Sequence, residues 1–108
     1  MTSEDEYIIE HNKLNKLFPN CDFCVCIDFN KMNEIISKEK TIILQYDEFG
    51  RDKKHYFVVS GDKLTYEYVI KQFMNYKVDF TKTDHRFLED ISRKLNNNDT
   101  HFVMDFGS

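Results

Sequence analysis

Three cysteines fall within six positions, as Cys21-x-x-Cys24-x-Cys26, and Asp28 follows two residues later. Thiols at such spacing serve zinc sites and redox centres. A structural zinc ion takes four ligands, usually as two Cys/His pairs. Here there is no second cysteine pair, and His11, His55, His85 and His101 stand singly. A thioredoxin-like centre sets Cys-x-x-Cys at a helix N-terminus, where the dipole lowers the thiol pKa. This segment instead alternates like a strand, with Phe23, Val25, Ile27 and Phe29 on one face and Cys24, Cys26 and Asp28 on the other. Cysteine behaves as a small, readily buried hydrophobe, so packing is the expected role of all three.

A second constellation depends on topology. If the strand carrying Asp28 lies centrally, antiparallel to the strands that begin near His55 and His101, an acid and two imidazoles converge at one sheet edge. Such a set, with Cys26 as a fourth member, suits a divalent metal or acid–base chemistry. The competing expectation is that histidines and acids at strand ends are simply solvated.

A third group is basic. Arg51-Asp52-Lys53-Lys54-His55 runs into Tyr56 and Phe57, so Arg51, Lys53, Lys54 and Tyr56 form a candidate nucleic-acid surface. Two features oppose it. The net charge is −4, whereas non-specific nucleic-acid binding neutralises many phosphates with Lys and Arg. RNA-recognition strands also use glycines and stacking rings, where this sequence has Lys54 and Ser60. Three glycines in the whole chain leave little for a phosphate cradle, and no dinucleotide, phosphate-loop, nucleophile-elbow or zinc-protease motif occurs. The plain alternative is a charged hairpin loop that discourages edge pairing.

The elements that must position these residues follow from periodicity and punctuation. Residues 3–18 read as a helix, with Ser3 as N-cap, Glu4, Asp5 and Glu6 at the positive end of the dipole, and Pro19 as stop. Its apolar stripe comprises Tyr7, Ile8, Ile9, Leu14, Leu17 and Phe18. A strand follows over 22–29, and then a short helix over 31–40 with Met32, Ile35 and Ile36 at helical spacing. Two strands, 41–49 and 54–60, flank a hairpin loop at 50–53. Residues 63–76 form a helix capped by Asp62, with Tyr66, Val69, Ile70, Phe73 and Met74 facing inward. A further helix opens at Thr83 or Asp84, carrying Phe87, Leu88, Ile91 and Leu95. Asn96-Asn97-Asn98 breaks it, and 100–106 is the last strand. The expected fold is one α+β domain over residues 1–108, an antiparallel sheet of about four strands with helices. With the first helix and one late helix as additions, the order fits a ferredoxin-like split βαβ.

One face of that sheet is strongly apolar, with Phe23, Val25, Ile27, Ile42, Leu44, Phe102, Met104 and Phe106. The other is still half apolar, with Cys24, Ile43 and Val103 as its candidate interface residues, Cys26 beside them, and one of the two alternating sets in His55-Tyr56-Phe57-Val58-Val59. A wet sheet face should be clearly polar, so something is expected to cover this one: the N-terminal helix, a second copy, or a partner protein. No apolar run approaches the ~20 residues of a membrane span, and the acidic N-terminus lacks the pattern of a secretory signal. An odd cysteine count without an export signal points to a reducing, cytoplasmic setting. Phe, Tyr, Met, Ile, Asn and Lys supply 50 of 108 residues, with no Ala or Trp, a bias toward AT-rich codons that fits a viral or other AT-rich genome. The function expected from all this is a non-enzymatic protein-interaction domain, homodimeric or with a protein partner, needing no cofactor. A divalent metal belongs only to the alternative.

Overall fold

The computed structural model describes residues 3–48, 53–81, 83–95 and 99–107. Helix α1 (Ser3–Leu17) ends two residues before Pro19, one residue short of the expected span. It buries only Leu14, with Phe18 just beyond its end, while Tyr7, Ile8 and Ile9 are exposed. The expected broad stripe is therefore used at its C-terminal half alone. The side chain of Ser3, the expected cap, lies outside the described residues.

Strand β1 is shorter than the alternation 22–29 suggests, covering Cys24–Val25. Ladder partners are available only where β6 (Phe87–Arg93) begins, with Cys24 opposite Phe87 and Val25 opposite Leu88. The chain then turns, because Asp28 accepts a hydrogen bond from the Asn30 backbone N–H at 3.0 Å and caps a single 3-10 turn, Phe29–Lys31. The helix expected over 31–40 is absent. In its place stands strand β2 (Ile35–Ser37), antiparallel to β5 (Leu64–Thr65) in a two-stranded sheet. Adjacent β-branched isoleucines favour that outcome over a helix.

Strands β3 (Thr41–Asp47) and β4 (Lys54–Ser60) pair antiparallel in unbroken register, from Thr41 opposite Ser60 to Asp47 opposite Lys54. Most of the loop between them lies outside the described residues. Helix α2 (Tyr66–Met74) starts later than expected. Thr65, not Asp62, is its cap, accepting from the Tyr68 N–H at 3.2 Å. The N–H groups of Tyr66 and Glu67 donate to the carbonyls of Glu34 and Met32, so β2 and the turn before it satisfy the helix start.

The largest departure is β6, where the spacing of Leu88 and Ile91 suggests a helix. A β-bulge between Leu88 and Asp90 inserts one extra residue, so two side chains three apart both point into the core. Strand β7 (His101–Gly107) matches expectation to within a residue.

The main sheet is mixed, in the order β1-β6-β7-β3-β4. β1–β6 and β3–β7 are parallel, while β6–β7 and β3–β4 are antiparallel. This is α+β, but neither an antiparallel four-stranded sheet nor the split βαβ, because β1 sits at an edge rather than at the centre. Its inner face matches expectation: Phe23, Val25, Ile27, Ile42, Leu44, Phe102 and Met104 are buried, with Phe106 partly so. Helix α2 closes that face through Val69, Ile70 and Phe73. The Phe73 ring lies 5.5 Å from Phe23 and Phe57, 6.0 Å from Tyr46, 6.2 Å from Phe106 and 6.3 Å from Phe80. No helix among the described residues is long and apolar enough to cross a membrane.

Candidate interaction face

Strand parity decides what the other face presents. Residues that share a ladder level share a face, so Ile43 lies beside Val58 on β4 and His101 on β7, and Gln45 lies between Tyr56 and Val103. One level on are Asp47 and Lys54, with Asp105 at the same step along β7. Helix α1 does not cover this surface. It lies along the segment after β1, where the Phe29 N–H donates to Glu10 Oε1 at 2.9 Å and Lys13 Nζ stands 5.4 Å above the Phe29 ring. The cover expected from α1 is therefore not supplied. Ile43, Tyr56 and Val58 retain 41%, 55% and 61% of their accessible surface.

Gln45 is the polar exception, buried at the centre of this face. Its Oε1 accepts from His101 Nε2 at 2.9 Å and from Lys94 Nζ at 3.3 Å, while its Nε2 donates to Asp47 Oδ1 at 2.7 Å. Burial, reinforced by the Lys94 ammonium, pushes the His101 pKa down, and Asp47 opposes this. His101 is therefore neutral at pH 7 and gives its Nε2 proton to Gln45. Tyr56 packs edge-on against it, with ring centroids 6.0 Å apart. A buried glutamine with its hydrogen bonds satisfied fixes the rotamers around it.

The free edge of β4 is blunted. Tyr76 Oη donates to the Val58 carbonyl at 2.7 Å, and the Tyr68 hydroxyl donates to that of Ser60. Gly61 makes room for the second contact, since a Cβ there would meet the Tyr68 ring at 2.7 Å. Exposed carbonyls on an edge strand invite pairing with another chain, so these caps leave the face, rather than the edge, as the apolar surface on offer.

The structure does not bring the four expected metal ligands together. Cys26 and Asp28 follow β1 at one edge of the sheet, and His55 is on β4 at the other. His55 shares the inner face with its ladder neighbour Tyr46, where its ring stacks on Tyr46 and Phe57 and its Nε2 pairs with Glu48 Oε1 at 3.1 Å. His101 is on the opposite face. Two strand spacings and a three-residue offset put the Cα atoms of the two histidines ~14 Å apart. Among the described residues, no group of three or more His, Cys, Asp or Glu side chains is placed to hold a metal ion.

Of the expected nucleic-acid set, Arg51 lies outside the described residues. Lys53 and Lys54 are exposed. Lys54 stands opposite Asp47, and Tyr56 joins the apolar group on the sheet. Of the expected interface residues, Ile43 and Val103 fall on the open face, Ile43 exposed and Val103 half-buried, and Cys24 lies at its far edge beside Phe87. Tyr56 and Val58 as apolar members were legible in the alternation of 54–60, but only as one of two sets. Nothing in the sequence marked Gln45.

The cysteines are not buried as expected. Cys21 and Cys24 are half-buried and Cys26 is exposed. Burial, then Cys24, pushes the Cys26 thiol up to about 11, and burial raises Cys21 as well. Thiols in that condition are poor nucleophiles. Comparison with family models, curated proteins and solved structures found no match.

Proposed function

We propose that this chain is a non-enzymatic protein-interaction domain acting through the open face of β7, β3 and β4, and that the occupant of that face is a second copy. The observation that carries the reading is the exposed Ile43–Tyr56–Val58 surface, uncovered by α1 and bordered by a paired arrangement of charge. Surfaces of this kind usually mark contact sites. Two copies stacked face to face about a two-fold axis along β3 set β7 of each over β4 of the other. Lys54 then meets Asp105 of the second copy on either side of an Asp47 that faces its own counterpart, Tyr56 meets Val103, and Val58 meets His101. The acidic residues at this level, Asp47 and Asp105, equally disfavour a nucleic-acid backbone as occupant. Free thiols suit a reducing cytoplasm.

Three strands by about seven residues give roughly 330 Å² per copy, well below a standard interface of about 800 Å² per partner. The expected dimer is thus transient, dissociating at tens of micromolar or weaker. Sedimentation equilibrium across concentration tests this. Lys54→Glu and Asp105→Lys should each weaken association, and the double variant should restore it; Val58→Glu should abolish it. A monomer at millimolar concentration would end the self-association reading. A photo-crosslinking side chain at position 58 tests the broader one. Adducts with other proteins would keep the interaction role with a different occupant, and no protein adduct in extracts of the source cell would refute it.

A further inference from the structure

We propose that Cys24 and Cys26 form a two-thiol chelate for a thiophilic d¹⁰ metal ion at the β1 edge of the sheet. Residues i and i+2 of a strand project to the same side, which places both sulfurs on the outer face. Their Sγ atoms are 3.8 Å apart. Two thiolates on one tetrahedral zinc ion, each at about 2.3 Å, stand ~3.8 Å apart, and a larger ion such as cadmium asks the same pair to open slightly. The pair already has the span of a bidentate site.

The backbone under the two thiols is held in place. The Cys24 N–H donates to the Arg86 carbonyl and the Cys26 N–H to the Leu88 carbonyl, both at 2.8 Å. Cys26 is exposed and Cys24 half-buried, so solvent reaches the pair. The Glu89 carboxylate lies on the same side, over Gly107, where a Cβ would fall 1.7 Å from its Oε1. Its charge bears on Cys26 and favours a cation over an anion there. Since no third protein ligand stands within reach among the described residues, water or a small thiol completes the shell. That selects ions satisfied by sulfur, such as cadmium or cuprous ion, over harder cations that demand oxygen. Each thiol loses its proton to solvent as the ion binds and stays on the ion as a thiolate. Two sulfurs in van der Waals contact have nearly the same separation, and the experiment separates these meanings.

Cadmium chloride is titrated into the reduced full chain, followed by the ultraviolet thiolate-to-metal charge-transfer band and by native mass spectrometry. The expected result is one ion per chain, unchanged in Cys21→Ser. The affinity should fall about 100-fold in either Cys24→Ser or Cys26→Ser, because the second thiol binds at high effective concentration only while the first is present. Amide exchange supplies a second readout, with protection of residues 24–26 rising on cadmium addition. The proposal is overturned if Cys21→Ser loses as much affinity as the other two, if either single serine variant of the pair binds like the wild type, or if no ion is retained. Circular dichroism on each variant confirms that the fold is kept. Serine is close to cysteine in size and sits here at an open edge.

Discussion

Phe73→Ala tests whether α2 is seated on the sheet as described. Phe73 is almost wholly buried and faces five other rings with centroids 5.5 to 6.3 Å away. Truncating a buried Phe to Ala costs about 3–5 kcal/mol in transfer and cavity terms together. The ring partners here come from β3, β4, β7 and two loop segments, so the void cannot close by moving one element. The upper half of that range, about 4 kcal/mol, is therefore expected. With an unfolding entropy near 2.1 cal/mol/K per residue, a chain of 108 residues loses about 17 °C in Tm. Total stability for a domain this size is roughly 5–15 kcal/mol, so the variant should still fold at low temperature. Phe87→Ala is the matched comparison. A helix over 83–95 puts Phe87 on the core side, whereas β6 turns it outward and leaves it exposed, so its truncation should cost under ~1 kcal/mol. Urea denaturation of both variants measures the contrast. Equal losses, or a loss below about 1.5 kcal/mol for Phe73→Ala, would refute the placement of α2 and the strand assignment of β6 together.

The Tyr76→Phe variant removes the donor to the Val58 carbonyl. It should lose about 0.5–1.5 kcal/mol in chemical denaturation, and with Tyr68→Phe added it should scatter more light on concentration as the β4 edge opens. His101 has a folded pKa below its unfolded value near 6.5, so the unfolded chain takes up a proton first as pH falls. Its contribution to stability is full above about pH 6.5, diminishes below that and is lost once pH passes the folded pKa. Comparing urea midpoints of wild type and His101→Gln between pH 5 and 8 should show a downturn on the acid side that the variant lacks.

Much of this architecture was legible because it is local. The β3–β4 hairpin, the last strand and the inner-face residues Ile42, Leu44, Phe102 and Met104 follow from period-2 alternation, which needs no knowledge of neighbours. The helix expected over 83–95 failed for a physical reason that period alone cannot expose. In β6 the bulge at Glu89–Asp90 adds a residue between Leu88 and Ile91, and a strand with one extra residue mimics the i, i+3 spacing of a helix. The segment 31–40 failed differently: Met32 is anchored by the core, but Ile35 and Ser37 find ladder partners in Thr65 and Leu64, more than 25 residues on.

The same distinction between local and distant information explains the fate of the candidate sites. Parity correctly put Cys24, Cys26 and Ile43 on the second face, because parity is a property of each strand alone. Whether Asp28 meets His55 and His101 depends instead on strand order, and that is set by the connections between strands. Placing β6 and β7 between β1 and β3 moves Asp28 to one edge and leaves His55 at the other. No change in any of the three residues is needed to undo that cluster. A site built from neighbours two apart, such as the Cys24–Cys26 pair, survives an error in strand order that destroys a site drawn from three strands. The open face stands between these cases. Its members were readable strand by strand, but its exposure was not, because that depended on where α1 came to rest. With α1 lying along the segment after β1, Ile43, Tyr56 and Val58 face outward beside a satisfied, buried Gln45, and it is on that exposed surface that the proposed interaction rests.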